Sequence, residues 1–169
     1  MSDAHTKLNA LALEAARSAL MRCCGARPWV EKMLARRPFP STHALLEAAD
    51  EVWATLDREA YREAFAAHPR IGEDLHTLRS KFGSTASWAN QEQAGTASAD
   101  AQTLLALRDE NEAYFARFGF IFIVCASGKS AGEMLELMRA RMYNPPLLEL
   151  EVAAGEQAKI TKLRLQKLT

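Results

Sequence analysis

A histidine followed by a proline is the first position in this sequence where a side chain could carry out acid–base chemistry. His68 follows an amphipathic run over residues 57–67, and Pro69 disfavours helix at the residue before it. We therefore expect the His68 imidazole at a helix end, where irregular backbone can present a side chain from a rigid base. Because histidine holds or releases a proton near neutral pH, this side chain could exchange a proton with a small ligand.

A carboxylate and a carboxamide follow further along the chain. Glu92 and Gln93 come after a turn-forming run at residues 82–85 and lie in a short helix predicted over residues 86–94. With His68, they could converge on one small polar ligand. Taken alone, each residue is better explained by an ordinary structural role than by catalysis. His68 could contact the last carbonyls of its helix, and Glu92 could be an exposed helix residue.

An apolar run at residues 120–126, followed by Gly128-Lys129-Ser130, is similar to a strand that enters a phosphate-binding loop. The loop motif requires another glycine five residues before Gly128, and this sequence has Ile123 there. A bulky side chain at that position does not allow the cradle of backbone amides. We therefore predict a turn at Gly128 and a helix that begins with Ser130 as its N-cap.

The histidines do not form a pattern that is typical of a metal site. His68 and His76 bracket Glu73 and Asp74, but they are eight residues apart across a predicted loop. Zinc sites use shorter ligand spacings that bring paired side chains together. The sequence therefore predicts no bound metal.

The spacing of apolar residues predicts an all-α protein. Its 169 residues suffice for one well-buried domain, so we predict a single compact bundle over residues 1–169, with a flexible N-terminus at 1–7. We expect roughly six to eight helices. The longer ones are predicted to run from Leu8 to Cys24, from Pro28 towards Pro38, from Thr42 to Leu56, from Asp57 to about His68, from Ser98 or Asp100 to Phe118, from Ser130 to about Tyr143 and from Leu147 to Leu168. Predicted caps are Gly25 at a helix C-terminus and Ser41, Asp57 and Ser130 at N-termini.

Charge and cysteine content narrow the possible partners and compartments. The 21 basic and 21 acidic residues balance without a basic stripe, which argues against a nucleic-acid partner. No apolar run has the length of a membrane span. The three cysteines, Cys23, Cys24 and Cys125, suit neither a disulfide framework nor a zinc site. With no signal pattern at the N-terminus and no peroxisomal tripeptide at the C-terminus, we expect a cytoplasmic protein.

Several motifs occur together in an order that resembles one enzyme family. They are His68-Pro69-Arg70-Ile71-Gly72, Glu92-Gln93-Ala94-Gly95, the run from Phe118 to Ala126, Gly128-Lys129-Ser130, and the run from Lys159 to Leu165. This ordered set resembles the OHCU decarboxylase (2-oxo-4-hydroxy-4-carboxy-5-ureidoimidazoline decarboxylase) family, which completes the conversion of urate to (S)-allantoin. The resemblance runs from about Leu8 to Leu168.

The resemblance implies a decarboxylase that needs no cofactor, acts on a small ureidoimidazoline substrate, forms a homodimer and binds no membrane. It implies that the catalytic residues are His68, Glu92 and Arg164. The substrate-binding positions that it implies are Pro69, Ala89, Gln93, Phe122, Ile123, Val124, Cys125 and Ala126. In this scheme His68 donates a proton, Glu92 orients the imidazole or holds a ring donor, and Arg164 binds an anionic oxygen or ring carbonyl.

One position departs from the family pattern. Family members often carry serine three residues before the glutamate of Glu92-Gln93, and this sequence has Ala89 there, with Ser87 as the alternative hydroxyl. Two other functions remain open at this point. One is a non-enzymatic helical module that binds a partner through an apolar groove. The other is a helical hydrolase that acts on a ureide ring and releases no carbon dioxide.

Overall fold

The computed structural model describes residues 3–68 and 97–168 of the chain. These residues form eight helices and no strand, which confirms the predicted all-α class. The helices are α1 (Ala4–Ala10), α2 (Leu13–Cys23), α3 (Arg27–Ala35), α4 (Thr42–Ala54), α5 (Arg58–Ala66), α6 (Ala97–Phe118), α7 (Ala131–Arg141) and α8 (Pro146–Gln166). Among the described residues, none of these helices has the length and apolar character of a membrane span.

The chain divides into two compact units. The first comprises Met1–His68 with Val152–Thr169, and the second comprises Pro69–Glu151. In the first unit, α3 packs against α2, α4 and α5, and α1 packs against α2 and α4. Its largest fully buried side chains are those of Leu8, Leu20, Trp29, Met33, Leu45 and Phe65. In the second unit, α6 packs against α7 around the buried side chains of Leu104, Leu107, Tyr114, Met134 and Met138.

Three of the predicted helix N-caps are confirmed. The side-chain oxygens of Ser41, Asp57 and Ser130 each accept a hydrogen bond from the backbone N–H three residues later. Such a bond satisfies one of the donors that a helix N-terminus leaves unpaired. Ser98 and Asp100 were predicted as alternative caps for the long helix, and this was wrong because both lie inside α6.

The predicted single helix from Leu8 to Cys24 is also wrong. Leu11 and Ala12 adopt extended backbone conformations that separate α1 from α2. The Arg37 guanidinium donates hydrogen bonds to the carbonyls of Leu8 and Leu11, at 2.7 and 3.0 Å, where the helix ends. Leu13 begins α2 and is 53% exposed.

The N-terminal segment also differs from the expectation. Helix α1 begins at Ala4, so residues 4–7 are helical where we expected a flexible terminus. The side chains of Ala4 and Leu8 are buried, and Asn9 exchanges two hydrogen bonds with the backbone of Phe39. These contacts hold the first helix against the rest of its unit.

Gly25 has a different role from the predicted helix cap. Helix α2 ends at Cys23, the next residue, Cys24, is extended, and Gly25 does not have a positive φ. A Cβ atom at Gly25 would lie 2.4 Å from the Cβ of Ala67, closer than two carbons can approach. Gly25 therefore lets the chain after α5 pack directly on its backbone, next to His68.

Two glycines bracket the irregular segment that precedes α7. Gly119 and Gly128 have φ values of 80° and 76°, a conformation that favours glycine. The turn at Gly128 leads to the Ser130 cap, as predicted. Between the two glycines, residues 121–126 form neither helix nor strand, and the side chains from Ile121 to Cys125 are buried.

Candidate active site

His68 lies two residues beyond the end of α5, as its proline neighbour predicts. Helix α5 ends at Ala66, and the amide of His68 donates to the carbonyl of Phe65 at 3.1 Å. The imidazole is half-buried. The close packing of Ala67 on Gly25 constrains the backbone immediately before it. The imidazole therefore projects from a backbone that is fixed on its N-terminal side.

A chain of uncharged polar groups extends from the imidazole into the first unit. The Nε2 atom of His68 lies 2.5 Å from the Oε1 atom of Gln157, and the Nε2 atom of Gln157 lies 3.0 Å from the Oγ1 atom of Thr161. The Thr161 side chain in turn hydrogen-bonds the thiol of Cys24. Gln157, Thr161 and Cys24 are all buried. We call these four side chains the neutral network.

The Cys24 thiol of this network and the neighbouring Cys23 thiol hold their protons tightly. Burial raises the pKa of Cys24 to about 11, although hydrogen bonds from Ala26 and Thr161 act in the opposite direction. Burial likewise raises the pKa of Cys23 to about 11. Both groups are therefore uncharged near neutral pH, and the network carries a charge only when His68 is protonated.

Arg164 extends from the exposed side of α8 in the same unit. Its Nη1 atom donates to the carbonyl of Arg22 at 3.2 Å. It lines a shallow pocket of about 270 Å³ together with Arg22, Cys23, Lys167 and Leu168. Three of these five side chains are cationic, so the pocket suits an anionic group. The charge of Arg164 also acts on Cys23 and Cys24, which puts it within electrostatic range of the neutral network.

In the second unit, side chains hydrogen-bond both amide and carbonyl groups of the backbone from Phe122 to Ala126. The Phe122 amide donates to Oδ1 of Asn111 at 3.4 Å, and the Ile123 carbonyl accepts from Nη1 of Arg141 at 2.7 Å. Lys129 donates to the Cys125 carbonyl at 2.9 Å. Among the described residues, no hydrogen bond uses the amides of Ile123, Val124 or Ala126.

The Arg141 guanidinium belongs to a buried ion pair. Its Nε atom lies 2.5 Å from Oε1 of Glu149, and the two side chains are 10% and 0% exposed. Asn144 donates to the same carboxylate, and the guanidinium lies 4.4 Å from the Phe122 ring centroid. Burial beside this pair raises the pKa of Tyr114 far above its ordinary value. We call Arg141, Glu149 and Asn144 the charged cluster.

Four positions that the resemblance implied, Pro69, Ala89, Glu92 and Gln93, lie outside the described residues. Of the others, His68 and Arg164 belong to the first unit, and residues 122–126 belong to the second. The sequence prediction missed Gln157 and Arg141. A usable signal existed for Gln157, because it shares with Thr161 a helix face on which Ala153 and Leu165 are buried.

A sequence profile described as OHCU decarboxylase matches residues 9–166 of the chain. The chain belongs to the OHCU decarboxylase family. The Arabidopsis thaliana uric acid degradation bifunctional protein TTL is 37% identical over 147 residues. That match covers 86% of this chain and 45% of the Arabidopsis protein, so this chain corresponds to less than half of that relative.

Two further relatives match more of their own length. The 2-oxo-4-hydroxy-4-carboxy-5-ureidoimidazoline decarboxylase of Amia calva is 33% identical over 135 residues, which cover 78% of this chain and 74% of that protein. A crystal structure of an OHCU decarboxylase in the presence of (S)-allantoin is 34% identical, with a TM-score of 0.70 over 88% of this chain and 94% of that one. The family therefore accounts for nearly the whole chain, in sequence and in fold.

Proposed function

We propose that this protein is a cofactor-independent carboxy-lyase that converts 2-oxo-4-hydroxy-4-carboxy-5-ureidoimidazoline to (S)-allantoin and carbon dioxide. Membership of the OHCU decarboxylase family over residues 9–166 is the observation that carries the proposal. A second line of support is that His68, the candidate proton donor, lies at a constrained helix end with a buried hydrogen-bond partner.

The reaction is a decarboxylation followed by a protonation, without a change of redox state. The substrate bears a carboxylate on a carbon that also carries a hydroxyl group and a ring nitrogen. When carbon dioxide leaves, the remaining electron pair can spread into the adjacent imine or carbonyl system of the ring. The conjugation of the substrate can therefore act as the electron sink that a cofactor supplies in other decarboxylases. The resulting carbanion equivalent must then receive a proton on one face.

We assign this proton transfer to His68. An imidazole can hold a proton near neutral pH and release it to a developing carbanion. The contact with Gln157 supports the assignment, because a proton donor has to be held in one orientation to protonate one face. Glu92, which lies outside the described residues, would orient the imidazole or hold a ring donor. Gln93 would hydrogen-bond ureido or ring groups.

We assign anion binding to Arg164 and charge stabilisation to the segment after α6. The exposed Arg164 guanidinium in its cationic pocket can bind a carboxylate or ring oxygen as a planar fork. It raises the rate only if its grip strengthens as charge moves into the ring. The backbone amides from Phe122 to Ala126 would stabilise charge that develops in the ring. Pro69 and Ala89 would line the substrate.

The homodimer and the cytoplasmic location that the resemblance implies are also part of the proposal. The adjacent thiols of Cys23 and Cys24 are not joined in a disulfide, which is consistent with a reducing compartment. Exposed apolar side chains, including Leu147 and Leu148 at the start of α8, could contribute to contacts between subunits.

A coupled assay from urate tests the proposal. Urate oxidase and the hydrolase that follows it generate the unstable substrate, and adding this protein should produce a rising circular-dichroism signal of (S)-allantoin with one carbon dioxide per turnover. Spontaneous decay gives racemic allantoin. A faster loss of substrate with racemic product would refute His68 as the bound proton donor. Ring opening without carbon dioxide would indicate a hydrolase, and no acceleration would indicate a binding module.

The variant His68→Asn gives the sharpest control on that assay. Asparagine keeps a hydrogen-bonding group but cannot titrate, and loss of a general acid commonly lowers the rate by about 100- to 10,000-fold. His43→Asn is the matched variant, because His43 is 81% exposed on α4 and pairs only with Glu47 among the contacts described for it. We expect native helicity in both variants and near-native turnover in His43→Asn alone.

A further inference from the structure

We propose that Gln157 is a positioning residue that holds His68 with a proton on Nε2, so that Nδ1 is the nitrogen that exchanges a proton with the substrate. This inference rests on the proposed function, in which His68 is the proton donor. It assigns the two ring nitrogens different roles, which the motif around His68 does not do.

The direction of the hydrogen bonds follows from the inner end of the neutral network. At this end, the Thr161 side chain hydrogen-bonds the Cys24 thiol, and its Oγ1 atom accepts from the Nε2 atom of Gln157 at 3.0 Å. The NH₂ group of Gln157 is thus the donor to Thr161, and this leaves Oε1 as the Gln157 atom that faces His68.

The orientation of the Gln157 carboxamide then fixes the state of the imidazole. With its NH₂ group directed to Thr161, Gln157 presents Oε1 to His68 at 2.5 Å. A carboxamide oxygen can only accept, so the Nε2 atom of His68 must carry a hydrogen. In the neutral ring that hydrogen stays on Nε2, and the imidazole gains or loses its charge at Nδ1.

The surroundings of Gln157 make rotation of its carboxamide energetically unfavourable. Gln157 and Thr161 are four residues apart on one face of α8, and both are at most 4% exposed. If the carboxamide rotated by 180°, its NH₂ group would face the Nε2–H of His68, and the present hydrogen bonds to His68 and Thr161 would both be lost. A buried polar group that loses its partner is costly, so each bond supports the next.

Gln157→Met tests the role because methionine has nearly the same length and shape but removes both hydrogen bonds. We expect kcat to fall about 10-fold, roughly the effect of one ordinary hydrogen bond, with KM within about twofold of the wild type. Gln166→Met is the matched control, since Gln166 lies exposed on the same helix. It should leave both constants unchanged.

Nitrogen NMR of the histidine rings reads the tautomer directly. In wild-type protein above the His68 titration, the ring should show a protonated Nε2, and Gln157→Met should give a mixture of tautomers. The His68→Asn spectrum identifies the signal by its absence. Gln157→Glu adds a carboxylate beside the imidazole, which favours the charged ring, so the alkaline limb of the kcat–pH profile should move to higher pH. If Gln157 only fills space, Gln157→Met should leave the tautomer of His68 unchanged.

The outcomes separate the two claims. If His68→Asn keeps near-native turnover, the proposed role of His68 fails, and the role of Gln157 fails with it. If His68→Asn is inactive while folded Gln157→Met keeps its kcat and tautomer, only the positioning role is overturned. If Gln157→Met does not fold, the wild-type NMR spectrum decides, because a neutral ring protonated on Nδ1 contradicts the inference.

Discussion

The two units of this protein each bury a polar network, and the two networks differ in charge. In the first unit, His68, Gln157, Thr161 and Cys24 are linked through an amide, a hydroxyl and a protonated thiol. In the second, a guanidinium and a carboxylate lie 2.5 Å apart beneath the segment from Phe122 to Ala126. Each network holds a group that the proposed reaction requires.

The difference in charge between the networks matches the groups that they hold, an imidazole in the first unit and a backbone segment in the second. In the proposed mechanism His68 changes its protonation state, and a charged group in the place of Gln157 would favour one state over the other. A carboxamide orients the ring without adding charge. The segment in the second unit does not titrate, so an ion pair can hold its Ile123 carbonyl without disturbing any chemistry. A buried pair is strong only while both partners are present.

Removing one partner of the charged cluster should give the largest loss of stability. Arg141→Ala leaves the Glu149 carboxylate buried without its cation, which typically costs about 3–5 kcal/mol. Urea unfolding measures this cost, with Arg139→Ala as the matched control because its pair with Glu110 is exposed. The control should change by less than about 1 kcal/mol. Equal stability losses in the two variants would contradict the assigned importance of the buried pair.

In the first unit, removing the Arg164 side chain should lower activity and leave stability nearly unchanged. Arg164 is exposed and donates to one backbone carbonyl, so Arg164→Ala should leave the urea midpoint nearly unchanged. Loss of a charged hydrogen bond to substrate should lower kcat/KM about 10- to 100-fold. Lys159→Ala, on the exposed side of the same helix, controls for the loss of a positive charge. Activity lost only in proportion to folded protein would make Arg164 a structural residue.

The packing that supports the neutral network can be tested at Gly25. Gly25→Ala places a methyl group against Ala67, one residue before His68, so the end of α5 has to move. We expect a loss of about 1–3 kcal/mol in unfolding free energy, as for other overpacked sites. Turnover per folded molecule should also fall, because the imidazole moves with its backbone. Gly155→Ala, where the added methyl meets nothing within 4 Å, should be neutral or slightly stabilising.

Alkaline pH should give the smallest effect, and it acts through the thiols of the first unit. Burial raises the pKa of Cys23 and Cys24 to about 11, above their ordinary value of 9.0. The folded state therefore binds these protons more tightly, so this stability is complete below pH 9 and is lost as pH rises towards 11. Each thiol should account for about 1 kcal/mol at pH 10. Urea midpoints from pH 8 to 11 measure the loss, and Cys23→Ala should reduce its slope.

Local sequence rules predicted most of the fold, and they failed where tertiary contacts decided the outcome. The Ser41, Asp57 and Ser130 caps were predictable because each acts within four residues. The break between α1 and α2 was not, and the side chain that hydrogen-bonds the carbonyls there, Arg37, comes from elsewhere in the chain. Gly25 was read as a cap, since its sequence position cannot reveal the contact with Ala67.

In the candidate site, too, local motifs were predicted from the sequence and long-range contacts were not. The motif around His68 identified the imidazole, but its hydrogen-bond partner lies 89 residues away on α8. The spacing of Gln157 and Thr161 places them on one helix face, but it does not indicate what they contact. Likewise, the apolar run at residues 120–126 was recognised in the sequence, while no sequence feature marked Arg141 as the cation that holds it.

The absence of fixed charge in the neutral network has a consequence for ionic strength. Dissolved salt screens the attraction between charges, but it hardly affects hydrogen bonds between buried neutral groups. The hydrogen bond between His68 and Gln157 should therefore be the same in dilute buffer and in concentrated salt. Capture of an anionic substrate by the exposed Arg164 pocket should weaken as salt rises. Salt should accordingly raise KM while leaving kcat nearly constant.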